Sequence, residues 1–205
     1  GLNLLETAQQ RFGRIDVLVN NAGLHNRGEV SSLSPEAVTA MIDVNLRAPL
    51  FLSSAVIPYL EMQAGGAIIM LGSLAGRTPM QGAATYGATK AGLRSFSYAL
   101  GDELRSKGIH VGVISPGPID TGFIMNDIDE VDDIVFAQAM STAEKVAEDV
   151  LAMARGEADE LCLPRSGGLI THLSYLFPSL RRKMRNRLNA IGRKNKEKYR
   201  KNHAS

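Results

Sequence analysis

Apolar residues along the chain fall into two patterns, short aliphatic runs and longer stretches with helical spacing. The short runs are IDVLVN at 15–20, AIIMLG at 67–72, IHVGVIS at 109–115 and ELCL at 160–163. Their β-branched and aliphatic content, and the Gly, Pro, Asn and Ser that bound them, predict strands. Helical spacing predicts helices over 1–12, 35–62, 83–106 and 142–155. Local chemistry sets their ends: Ser34 precedes Pro35 as a cap before Pro at the first helical position, and Gly108 closes the third helix. Ser141 and Glu144 predict a capping box for the fourth, and Pro49 and Pro58 predict breaks within the second. Apolar strands that alternate with helices predict an α/β fold, a doubly wound parallel sheet with right-handed crossovers and both faces covered.

Candidate chemistry sits in SLAGRTPMQGAATYGATK, residues 73–90. Tyr86 and Lys90 are i and i+4 on a predicted helix, so they share a face. A cation beside a phenol favours the phenolate, which predicts a lowered Tyr86 pKa and a group able to give and take a proton. Ser73 follows a predicted strand, so its hydroxyl would lie at the carboxyl end, where open α/β sheets bind ligands. Other residues invite structural readings first. Asn20, Ala22 and Gly23 suit any strand-to-turn junction, Asn45 suits a helix surface or a kink, and Pro116 and Gly117 suit any loop.

The order of these features resembles the short-chain dehydrogenase/reductase family. The matches are NNAG at 20–23, Asn45 in VNL, Ser73 after the next strand, YGATK at 86–90 and PGPIDT at 116–121, from the first residue to about Pro164. The resemblance implies a Rossmann-like domain with NAD or NADP as cofactor. It makes Ser73, Tyr86, Lys90 and Asn45 catalytic, with Tyr86 the acid/base and Asn45 part of a proton route through Lys90. It places Asn20, Ala22, Gly23, Pro116, Gly117, Ile119 and Thr121 on the cofactor with Tyr86 and Lys90. It also implies a small-molecule carbonyl or alcohol substrate under a lid at 122–140, and a homo-oligomer through helices 35–62 and 83–106. Ala83, Ala84, Gly87, Ala88, Ala91 and Gly92 would supply a small-residue surface for that contact.

One departure from the family is large. A dinucleotide fold of this type begins with a strand, a Gly-rich turn and a helix whose N-terminus holds the pyrophosphate. Here residues 1–12 already match the helix before the fourth strand, so the first βαβα part is absent and residues 1–164 read as the C-terminal part of the domain. Two functions follow. One is an oxidoreductase for the intact parent, this chain alone being inactive; the other is a non-catalytic binding or scaffold relative.

Composition narrows the setting. With 44% hydrophobic and 21% charged residues, the 205-residue chain reads as one globular domain, with no spanning helix and no export signal expected. A single cysteine, Cys162, points to a reducing cytoplasm, and no metal site is expected. Charge is uneven. Residues 181–205 carry eleven Lys/Arg and one Glu, +10, which leaves −8 on residues 1–180 from a total of +2. Residues 165–205 therefore read as a basic extension. Within 178–205, Leu180, Met184, Leu188 and Ile191 form an apolar stripe among basic residues, which suits either peripheral contact with an anionic membrane or a solvated tail. No nucleic-acid motif is present.

Overall fold

The structure, a computed structural model, describes residues 2–203, so Gly1 and the last two residues of the extension lie outside it. Four strands, β1 (Val17–Asn20), β2 (Gly66–Leu71), β3 (Ile109–Pro116) and β4 (Glu160–Leu163), form one parallel sheet in sequential order. Helix α1 (Leu2–Phe12), α2 (Pro35–Ile42), α3 (Ala48–Met62) and α4 (Ala84–Leu104) belong to one face, where Leu18, Val56, Leu60, Ile68, Met70 and Leu93 build the core. On the other face α6 (Ala143–Ala154) covers Ile69, Ile114 and Leu161 with Val146 and Met153. This is the Rossmann-like α/β architecture. The strands are almost wholly aliphatic because β2 and β3 are buried on both sides.

Strand β1 differs. It is the sheet edge, and Val17 and Val19 are 42% and 40% exposed while Leu18 and Asn20 are buried.

Local signals held with two adjustments. Ser34 caps α2 by accepting from the Ala37 amide, but α6 is capped by Thr142, which accepts from Lys145, and not by Ser141. The long second helix does not break at its prolines. It passes through a π-helical turn at Asp43–Arg47, Pro49 opens α3, and Pro58 is accommodated within it. Residues 35–62 are thereby long and apolar enough to cross a membrane, unlike the expectation from apolar runs alone. In the fold, Met41, Val56 and Leu60 of this run are buried in the domain.

Beyond β3 lie α5 (Gly122–Met125) and a 3-10 turn at Asp133–Ala137, both within the segment 122–140 expected to be a lid. After β4 come α7 (Gly167–Leu176) and α8 (Pro178–His203). The basic extension is helical and folds back on the 122–140 segment. Lys196 is buried and donates to the carbonyls of Val131 (2.6 Å) and Asp129 (3.3 Å), Asn195 donates to that of Phe136, and Arg193 and Arg200 pair with Asp133 and Asp129. Gly192 is required here, since a Cβ on it would lie 1.7 Å from the Asp133 carbonyl oxygen.

Candidate active site

The site begins at the carboxyl end of β2. Ser73 is extended, accepts from the Ala75 amide at 3.1 Å, and starts a 3-10 turn at Leu74–Gly76. That turn lies directly on α4: a Cβ on Gly76 would come within 2.6 Å of the Lys90 backbone. The contact brings strand end and helix together, and sets the Ser73 hydroxyl near enough to the Tyr86 phenol to lower its pKa. Lys90, 4% exposed, lies 5.8 Å from the Tyr86 ring and donates to the Leu71 carbonyl at 2.6 Å. Serine, tyrosine and lysine thus meet at one strand end.

The pKa expectation for Tyr86 is overturned. Burial raises it above the ordinary phenol value, while the Ser73 hydroxyl and the Arg27 charge oppose that rise. Burial also lowers Lys90 to about 8. A low dielectric penalises both charged forms, and the helical spacing of the pair shows nothing of that cost.

Asn45 sits at the centre of the π-helical turn, fully buried. Its amide accepts from the Leu24 amide and donates to the Leu24 carbonyl, both at 2.7 Å, and donates to Thr89 at 3.3 Å. Asn45 therefore clamps the turn after β1 beside α4. In that turn Ala22 and Gly23 are exposed, and a Cβ on Gly23 would stand 3.7 Å from Asn45 Oδ1 and 3.8 Å from Lys90 Nζ. Asn20 is not in the crevice. Its side chain is buried and donates to Ser53 Oγ (3.1 Å) and Met70 Sδ (3.2 Å), bracing β1 against α3 and β2. After β3, Pro116 is buried, and the Gly117 amide donates to the Leu163 carbonyl. Ile119 bridges to Ser141, and Thr121 leads into α5. Of the small residues on α4, Ala84, Ala88 and Ala91 are exposed along one stripe, whereas Ala83 is buried and Gly87 and Gly92 approach Ala75 and Leu46.

Two residues without a sequence signal, His25 and Arg27, and one from the expected lid, Phe123, complete the site. His25 stacks on Tyr86 with centroids 4.2 Å apart and planes 13° apart. Phe123 lies 6.4 Å from the Tyr86 ring. Arg27 ties the two segments, with Nη1 3.1 Å from His25 Nδ1 and Nη2 donating to the Phe123 carbonyl at 2.7 Å. An arginine can only donate, so His25 Nδ1 accepts and the neutral ring carries its proton on Nε2, a buried atom with no partner among the described residues. His25 and Arg27 also line a cavity of about 290 Å³ with Met80, Gln81, Val135 and Arg185.

Burial, with the Arg27 charge, lowers His25 from 6.5 to about 4. The unfolded chain gains a proton below pH 6.5 that the folded chain refuses until about pH 4. Stability should therefore fall as pH drops through that window, by up to about 3 kcal/mol from this group. His25→Gln should flatten the dependence in urea unfolding at pH 7 and pH 4.5. An unchanged pH slope in the variant would remove His25 as its source.

A hydroxyl, a phenol and a buried amine meet at the carboxyl end of a parallel sheet, where Rossmann-like α/β domains bind ligands. Sequence comparison agrees: residues 2–132 match the family model described as short chain dehydrogenase, and the chain belongs to that family. An uncharacterized oxidoreductase of Staphylococcus epidermidis is 39% identical over 119 residues, 58% of this chain and 52% of that protein. The 3-oxoacyl-acyl-carrier-protein reductase FabG of Escherichia coli is 34% identical over 160 residues, 76% of this chain and 66% of that protein. Oxidoreductase BOA17 of Botryotinia fuckeliana is 36% identical over 120 residues, 58% and 44% respectively. The chain spans about half the length of the relatives it matches, and two thirds of FabG.

Proposed function

We propose that the intact protein containing this chain is an oxidoreductase that interconverts a carbonyl and a secondary alcohol with NAD or NADP. The observation that carries this reading is the convergence of Ser73 and Tyr86 beside buried Lys90 at the carboxyl end of β2. The nicotinamide and its ribose suit the residues present. Exposed Ala22 and Gly23 leave an open backbone surface near Lys90 Nζ, and Ile119 and Thr121 are half-buried past the end of β3. When bound, the nicotinamide supplies or accepts the hydride.

The rest of the chemistry belongs to side chains. Ser73 Oγ would hold the substrate oxygen beside the phenol. Tyr86, kept protonated at neutral pH by its burial, would give its proton to that oxygen in reduction and take one back in oxidation. Ser73 and the Arg27 charge ease the phenolate left behind. His25 Nε2–H offers a second donor in the same enclosure. The likeness to FabG, a 3-oxoacyl-acyl-carrier-protein reductase, supports a ketone on an acyl chain as one substrate class.

A second reading concerns residues 1–205 by themselves. Among the described residues no G-x-G-x-x-G turn leads from a strand into a helix, and β1 is an open edge. That supports a chain that does not catalyse alone. The test follows NADH or NADPH oxidation by the intact protein with 3-oxoacyl thioesters and simple ketones, beside a cofactor titration of residues 1–205. Turnover by the intact protein is expected, with no saturation of the short chain below about 1 mM. Absence of turnover across cofactors and carbonyls would remove the enzymatic reading, and micromolar binding by residues 1–205 the second.

A further inference from the structure

We propose that α7 and the outward stripe of α8 dock on an anionic lipid surface. Helix α7 turns Gly167 and Thr171 inward, where Thr171 accepts from Arg77, and leaves its other side uncovered. Leu169, Ile170, Leu173, Leu176 and Phe177 on that side are between 45% and 66% exposed. Past Pro178 the exposure continues on α8 with Leu180, Met184 and Ile191. The apolar stripe of α8 is thus not what holds the helix to the domain. The adjoining side does that, through Gly192, Asn195 and Lys196 on the 122–140 segment and Tyr199 against Phe136. An unpartnered apolar surface of this extent marks an interaction site.

Charge selects the occupant. Residues 161–196 contain nine Lys/Arg and no Asp or Glu. Helical spacing sets Lys183, Arg187 and Lys194 beside the Leu180, Met184 and Ile191 stripe, and none of them has an ion-pair partner among the described residues. Long basic stems can lie on apolar surface while their heads reach anionic headgroups. A second copy suits the surface less well, because a two-fold contact sets the same patch against itself and so cation against cation. Strands added at the open edge of β1 would lie at the far end of the sheet from β4, on which α7 packs. The 122–140 segment, held by the adjoining side of α8, would then lie at the bilayer surface.

The test is flotation of the intact protein with phosphatidylcholine vesicles, with and without phosphatidylglycerol. Retention is expected only with phosphatidylglycerol, and it should fall as salt is raised. Near a membrane each basic residue contributes about fivefold, so Lys183→Glu with Arg187→Glu should weaken binding at least about tenfold. Leu173→Glu with Leu176→Glu should abolish it, and because both positions are exposed the thermal midpoint should stay at that of the parent. Equal binding to neutral vesicles, no binding to anionic ones, or full retention by the Leu173/Leu176 variant would overturn the proposal. So would a shift of that variant to a smaller sedimenting species with the parent silent toward vesicles, which would give the face to a second copy.

Discussion

Tyr86→Phe in the intact protein is expected to lower turnover by at least about 10², with cofactor affinity nearly unchanged. The substitution removes one oxygen and little volume. The ring keeps its stack on His25 and its place beside Phe123, so the enclosure survives and only the transferable proton is lost. Because burial raises the Tyr86 pKa, the phenol is a reservoir of protons at neutral pH, and the phenolate formed after transfer depends on Ser73 and Arg27. Steady-state kinetics with a ketone substrate read the effect. Activity within a few-fold of the parent would assign the proton to another group, for which His25 is the neighbouring candidate.

The second large effect is on stability. Glu160 opens β4, and its nearly buried carboxylate pairs with Arg77 and, at 2.7 Å, with Arg94. It also accepts from Tyr98 at 2.8 Å and Ser115 at 2.9 Å. Burial alone would raise its pKa, but the bonds from Arg94, Arg77, Tyr98 and Ser115 overcome that and lower it to about 2. Its folded pKa lies below the unfolded one, so its stabilisation is present above about pH 4.5 and is lost as pH falls toward 2. Glu160→Gln leaves two guanidinium groups around a neutral amide, and breaking a buried pair of this kind costs about 3–5 kcal/mol. At roughly 2–4 °C per kcal/mol for a domain of this size, the thermal midpoint should drop by about 6–20 °C. Arg77 also bonds Thr171 and the Gly168 carbonyl, so α7 should loosen along with the sheet edge. Calorimetry of the variant decides the matter; a midpoint within about 2 °C of the parent would mean that the network is not a stabilising unit.

The strands, the four main helices and the meeting of Ser73 with Tyr86 and Lys90 were legible in the chain. Aliphatic runs bounded by turn residues, a cap before Pro35 and the i to i+4 rule are local chemistry, and local chemistry survives folding. The sign of the Tyr86 shift was not legible, because a lysine four residues away is a sequence fact whereas burial depends on His25, Phe123 and Arg27 arriving from other segments. Asn20 matched a cofactor-facing motif, yet the pleat of β1 turns its side chain toward Ser53 and Met70. The extension shows the same division. Helical period predicted a stripe of Leu180, Met184 and Ile191, but period says only which residues share a face. Tertiary structure decided that Gly192, Asn195 and Lys196 hold the 122–140 segment and that the apolar stripe faces outward, because the carbonyls of Asp129, Val131 and Phe136 take donors from Lys196 and Asn195 and the Asp133 backbone approaches Gly192 closely.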